Sequence, residues 1–331
     1  MTHVPDMTKT ARQAAELNDR ALGKAQQGDL GGALADFSAV IELADAPLQE
    51  VASALFNRAL VRAQHGDRGG ALVDLTAAIG TRDAPADLVP KALLSRAVRL
   101  TEQGEIAAAI ADYTVVTLLR EVPAEELAGA LLNRGILRAK QADHAGALTD
   151  FTAAAQLPDR PMRAKALFSR GMEKARAGDA AGALTDYTAV IGQGDAPLQV
   201  LASALVNRAA ITARLGDLNA VIADCTMVIE LPVAPINELG AALFNRAVAR
   251  GQQGDHTAEL ADYTALIERP GMPAERLARA LINRAITRED LGNEAGAIAD
   301  LTQVAGLRGL PAAVGAEARK GLQRLQKKPR A

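Results

Sequence analysis

The chain has 331 residues and a formal net charge of −2, with 49% hydrophobic and 23% charged residues. That composition belongs to a folded, soluble chain and not to a disordered one. The near-neutral charge and an aromatic content of 2%, with no tryptophan, disfavour a nucleic-acid surface, which needs basic patches and stacking platforms. Cys225 is the only cysteine, so no intramolecular disulfide and no cysteine-based metal site can form. No window approaches the roughly 18 apolar residues of a membrane span. Residues 1–10 lack the apolar stretch of a secretory leader, so a cytoplasmic location is expected. The Ala, Arg, Gly and Asp bias is compatible with a GC-rich bacterial genome.

Residues 1–15 read as an N-terminal segment that runs into a first helix. From Glu16 onward one pattern recurs, with equivalent starts at Glu16, Ala54, Ala92, Ala130, Ala166, Ala204, Ala242 and Ala280. The period is 38 residues, with a single 36-residue step between Ala130 and Ala166. Eight copies fill residues 16–311. A capping helix over 312–326 and a basic tail, 327–331, follow.

Each copy predicts two helices. In the second copy the first helix covers about Pro47 to His65. Its apolar positions, Leu48, Val51, Ala52, Leu55, Phe56, Ala59, Leu60 and Ala63, keep a three-and-four spacing. Gly66 suits the left-handed position after a helix, and Asp67 suits the N-cap of the next. The glycine recurs in every copy except the fourth, where Ala142 replaces it. The second helix, about Arg68 to Ile79, has Ala71, Leu72, Leu75, Ala78 and Ile79 on one face. Prolines then stand in register at 47, 85, 123, 161, 197, 235, 273 and 311, and are expected in the first turn of the next helix. Pro90 falls five residues into a first helix and predicts a kink or a late start there.

The segment "FNRA…GD…GALVDLTAAI", Phe56 to Ile79, resembles the tetratricopeptide repeat in its bacterial "NRG…GD…AIADYT" variety. The resemblance covers about Glu16 to Pro311. It implies an all-α, right-handed superhelical solenoid of antiparallel helix pairs. It also implies a concave face lined by the first helices, and says little about function, because this fold hosts many partners. The present repeat is four residues longer than the usual one, which adds roughly one turn, about 6 Å, to the first helix. The Lys and Asn carboxylate clamp of chaperone-binding members is not carried over. Phe56, Leu60, Leu94 and Val98 stand at those groove positions.

No catalytic constellation emerges, so no enzyme activity, cofactor or metal is expected. His65, His144 and His256 lie at helix ends, and His3 is in the tail. None has a partner at triad or metal spacing. Cys225 occupies a core slot that holds Phe37, Tyr113, Phe151 and Tyr187 in other copies. The polar pattern is stronger. Arg20, Arg58, Arg96, Arg134, Arg170, Arg208, Arg246 and Arg284 are each followed sixteen residues later by Asp36, Asp74, Asp112, Asp150, Asp186, Asp224, Asp262 and Asp300. A row of charges for a ligand is one reading. An internal ion pair between the two helices is favoured, since a ligand site would not need the pair in the terminal copies.

Two apolar rows mark the candidate groove. The first is Phe56, Leu94, Leu132, Phe168, Val206, Phe244 and Ile282. The second, one turn on, is Leu60, Val98, Ile136, Met172, Ala210, Val248 and Ile286. They are open as a groove floor, or they pack first helix on first helix. Beside them lie positions that differ from copy to copy: Lys91, Lys140, Lys165, Arg176, Arg214 and Arg279 against Glu102 and Asp290, a net +4. The expected partner is another protein or peptide of acidic and apolar character. Self-association is the alternative, RNA the least favoured, and no membrane is involved. The ends read as polar caps, with Asn18 in place of Phe56 and Arg319 and Lys320 on the last helix.

Overall fold

The computed structural model describes residues 7–327, and all elements among them are helices. His3 and the basic tail from Lys328 lie outside the described residues. The helices follow in pairs: α1 (Met7–Gln26) and α2 (Leu30–Glu42), α3 (Leu48–Gln64) and α4 (Arg68–Gly80), α5 (Leu88–Gln103) and α6 (Ile106–Leu118). Next come α7 (Ala124–Lys140) and α8 (His144–Ala155), α9 (Arg160–Arg176) and α10 (Ala180–Ile191), α11 (Leu198–Arg214) and α12 (Leu218–Ile229). The array closes with α13 (Ile236–Gln252) and α14 (His256–Ile267), α15 (Ala274–Asp290) and α16 (Glu294–Gly306), and the single α17 (Ala312–Lys327). The chain divides into two compact units, one ending at Ser169 and the other beginning at Arg170.

Within each unit a helix packs on its immediate neighbours in sequence. The core is therefore a series of small clusters and not one centre. In the first unit Ala21, Phe37 and Ala54 share one cluster, Leu55, Leu75 and Ala92 the next, and Leu93, Tyr113 and Ala130 a third. In the second unit Leu205, Cys225 and Ala242 form one, and Leu243, Tyr263 and Ala280 another. Each cluster takes residues from one repeat and from the first helix of the next, which is how a one-dimensional array buries its apolar faces.

The turn inside each pair is fixed by chemistry at two positions. Gly66 has φ +89 and Gly104 φ +82, in the left-handed region where a Cβ is strained. Ala142 holds the same position at φ +64 without that freedom. The following Asp29, Asp67, Asp143, Asp179, Asp217 and Asp255 then accept from the backbone N–H three residues on.

Five of the prolines stand just before the helix and not in its first turn, whereas Pro161 is the second residue of α9, in the first turn as the sequence reading has it. Pro47, Pro123, Pro197, Pro235 and Pro273 are N-caps with extended ψ, between 132° and 147°, and not first-turn residues. Their carbonyls accept the first helical bond, as from Val51 to Pro47 at 3.0 Å. Pro90 produces the late start: α5 begins at Leu88, three residues after Pro85, so that Pro90 falls within the first turn. Asn18 differs from its reading as a polar cap. It is 5% exposed, and its Nδ2 donates to Glu50 Oε2 at 2.7 Å, because α3 covers it.

Candidate functional site

The repeated arginines and aspartates meet in every copy. Arg58 donates from Nε to Asp74 Oδ2 at 2.8 Å and from Nη2 to Asp74 Oδ1 at 2.7 Å. The Nη2–Oδ1 separation in all eight pairs is 2.6–2.7 Å. Such two-point contacts fix the guanidinium plane as well as its position. The same Asp accepts from a second cation one turn on in the first helix: Lys24, Arg62, Arg138, Lys174, Arg250 or Arg288. The third and sixth copies have Leu100 and Thr212 there instead.

The remaining guanidinium nitrogen reaches back to the previous repeat. Arg58 Nη1 donates to Ser38, Arg96 to Thr76, Arg134 to Thr114 and Thr117, Arg208 to Thr188, Arg246 to Thr226 and Arg284 to Thr264, all at 2.8–3.2 Å. Each of these six arginines thus joins three helices. The carboxylates are 1–6% exposed and are enclosed in this framework. The hydrogen bond from Arg20, with Lys24 behind it, holds the Asp36 carboxyl well below the usual carboxylate range against the opposing effect of burial.

The aromatic slot is closed as well. Tyr113, Tyr187 and Tyr263 are at most 2% exposed, and Asn283 Nδ2 donates to the Tyr263 hydroxyl at 3.1 Å. Burial pushes the Tyr187 and Tyr263 hydroxyls up to about 12. Cys225, fully buried in the same slot, is likewise pushed up to about 12 by burial and is therefore a thiol, not a thiolate.

The two apolar rows separate by depth. Leu132 and Ile282 are buried at 7% and 5%, and Phe56, Leu94, Phe168, Val206 and Phe244 are half-buried. The first row thus packs against neighbouring helices, as Phe56 does in the α3–α4 cluster and Phe244 edge-on against Tyr263 at 5.8 Å. Leu132 in particular is no part of an open floor. The second row is the open one: Leu60 and Met172 are 45% and Ile286 46% exposed, with Val98, Ile136 and Val248 half-buried. In the first unit Leu60 and Val98 line a depression of about 400 Å³ between α3 and α5, together with Leu94, the exposed Gln64 and Arg99.

The flanking cations are less available than their number suggests. Lys91 Nζ lies 3.1 Å from Asp87, Arg176 2.9 Å from Glu173 and Arg279 2.8 Å from Glu275. Lys140 and Arg214 are exposed, and Lys165 is half-buried. The net +4 at these positions is therefore offset by acids one turn away that the copy-to-copy comparison passed over.

Sequence reasoning missed one polar group on this face. Glu259 on α14 is 7% exposed and accepts from Thr287 Oγ1 at 2.8 Å. The equivalent residue is Ala33, Ala71, Ala109, Ala147, Ala183, Val221 or Ala297 in the other copies. A carboxylate in a slot otherwise held by small apolar residues was the available signal.

Among the described residues no group of His, Cys, Asp and Glu is placed to hold a metal, and no helix is long and apolar enough to cross a membrane. The architecture is a tandem array of helix pairs, and solved structures share it. The C-terminal part of a TPR repeat-containing protein from Cytophaga hutchinsonii matches 79% of this chain and 98% of its own at 16% identity, with a TM-score of 0.60. PilW, a widely conserved type IV pilus biogenesis factor, matches 70% of this chain and 98% of its own at 17% identity and a TM-score of 0.52. The hetero-tetramer Cut9–Hcn1 of the APC/C matches 90% of this chain and 53% of its own at 12% identity and a TM-score of 0.50. No family model and no curated protein matches the sequence. The fold is that of the tetratricopeptide repeat.

Proposed function

We propose that the chain is a non-catalytic scaffold that receives a segment of another protein on its first-helix face. The observation that carries this reading is the open depression lined by Leu60, Leu94 and Val98 in the first unit. An apolar side chain entering it would gain about 1.5–3 kcal/mol from burial. The repeated Arg and Asp groups are bonded to one another and to a Ser or Thr of the previous repeat, so the framework accounts for them without a ligand. Cut9–Hcn1, whose fold compares with this one, is itself an assembly of different chains. Because Lys91 is offset by Asp87, apolar burial and not charge dominates recognition at this depression.

The test compares Leu60→Glu with Val98→Glu, made together, against Val73→Glu on α4, which is 67% exposed and does not line the depression. Partners retained by the tagged protein from its source cell are quantified beside the thermal melt of each variant. The double variant should lose a partner that the α4 variant keeps, with both folded. Retention by the double variant would mean that this depression is not the site.

A further inference from the structure

The Glu259 carboxylate is held where burial opposes it. In the slot where the other copies have Ala or Val, it would meet the facing helix if that helix kept its usual residue. A Cβ built at Gly251 would come within 2.6 Å of the Glu259 carboxyl carbon. The facing residue is Ala25, Ala63, Ala139, Ala175 or Ala213 in five other copies. Gly251 and Glu259 therefore go together: one clears the space that the other fills.

The carboxylate does not close that space. It lies in the wall of a depression of about 360 Å³ formed by α13, α14 and α15, with Val248 and Ile286 as apolar sides and Asp290 at the edge. Its Oε1 accepts from the Thr287 hydroxyl at 2.8 Å, and its Oε2 lies 2.9 Å from His256 Nδ1. Among the described residues no lysine or arginine bridges to it. The arginines that follow in α13 and α15, Arg250 and Arg288, are bound to Asp262 and Asp300. A nearly buried carboxylate bonded only by a hydroxyl and a half-exposed imidazole keeps unused acceptor capacity, and a cation is the ligand that satisfies it best.

We propose that this pocket binds one basic side chain, lysine or arginine, of a partner polypeptide lying on α13 and α15. The methylenes run between Val248 and Ile286, as amphipathic stems do along apolar walls. The terminal cation takes over Glu259 Oε2 from His256 and lies near Asp290. The proposal rests on the first-helix face being the interaction face, but it concerns the second unit alone and needs nothing of the Leu60–Val98 depression.

Acetyl-lysine methylamide and its neutral counterpart acetyl-norleucine methylamide are the probes, titrated into the full chain labelled at isoleucine δ1 methyls. The Ile286 methyl resonance reports occupancy. The lysine probe should shift it with a midpoint at least tenfold lower than the norleucine probe. Glu259→Gln, which keeps the shape, should raise the lysine midpoint at least tenfold. Gly251→Ala with Glu259→Ala restores the pattern of the other copies, folds as they do, and should abolish the response. No response to lysine, equal responses to the two probes, or an unchanged lysine midpoint in Glu259→Gln would each overturn the proposal. None of these outcomes bears on partner loss by the Leu60 and Val98 variant.

Discussion

Arg134 shows how the framework residues act. It is 9% exposed, its partner Asp150 is 1% exposed, and its other donors are used by Thr114 and Thr117. Removing the guanidinium strands a buried carboxylate with only Arg138 left beside it. Arg134→Ala should therefore destabilise the chain by about 3–5 kcal/mol, the usual loss when one partner of a buried pair goes. Arg20 makes the same contact to Asp36, yet its side chain is 59% exposed and Lys24 shares the carboxylate. Arg20→Ala should barely move the urea midpoint read by far-ultraviolet circular dichroism. Equal losses at the two positions would show that burial does not set the value of the pair. The Arg–Asp pairing was legible because the sixteen-residue offset is unbroken in all eight copies. The Ser and Thr acceptors were not, since they precede the arginine by about twenty residues and belong to the previous repeat. Glu259 was missed for the opposite reason: it occurs once, and comparison of copies favours what recurs.

At the scale of the helix pair, the turns carry a strain that differs between copies. Ala142 sits at φ +64 where seven copies have glycine at φ +79 to +89. A left-handed alanine costs about 1 kcal/mol, and glycine gives back part of that gain through a freer unfolded chain. Ala142→Gly should accordingly stabilise by about 0.5–1 kcal/mol, seen as a rise in the urea midpoint. A fall would mean that the alanine methyl makes a contact worth more than the strain. This turn was readable from its Gly-Asp pair. A second left-handed position, two residues before the repeat proline, was not: Asp45, Asp83 and Glu121 hold it at φ +58 to +60, while Gly271 and Gly309 hold it in later copies. Acidic residues in three copies conceal a conformation that two glycines reveal. Except at Pro85, which precedes α5 by three residues, the proline register gave the helix starts to within one residue, because a proline is compatible both with an N-cap and with the first turn.

For the molecule as a whole, the periodicity made the architecture readable, while the binding face was only half readable. Two apolar rows one turn apart have the same hydrophobic character in the sequence. Neighbouring helices decide that Leu132 and Ile282 are buried while Leu60, Met172 and Ile286 are open. Local pairs behaved similarly: Lys91, Arg176 and Arg279 count as free cations by number alone, and Asp87, Glu173 and Glu275 offset them in the fold. Under the proposed function the first-helix face, and not the second helices, meets the partner. A photo-crosslinking residue at Gln64, which lines the Leu60–Val98 depression, tests it against the same residue at Val73 on α4. Irradiation in the source cell should give a discrete crosslinked species from position 64 and none from position 73. A discrete species from position 73, with none from position 64, would contradict the account.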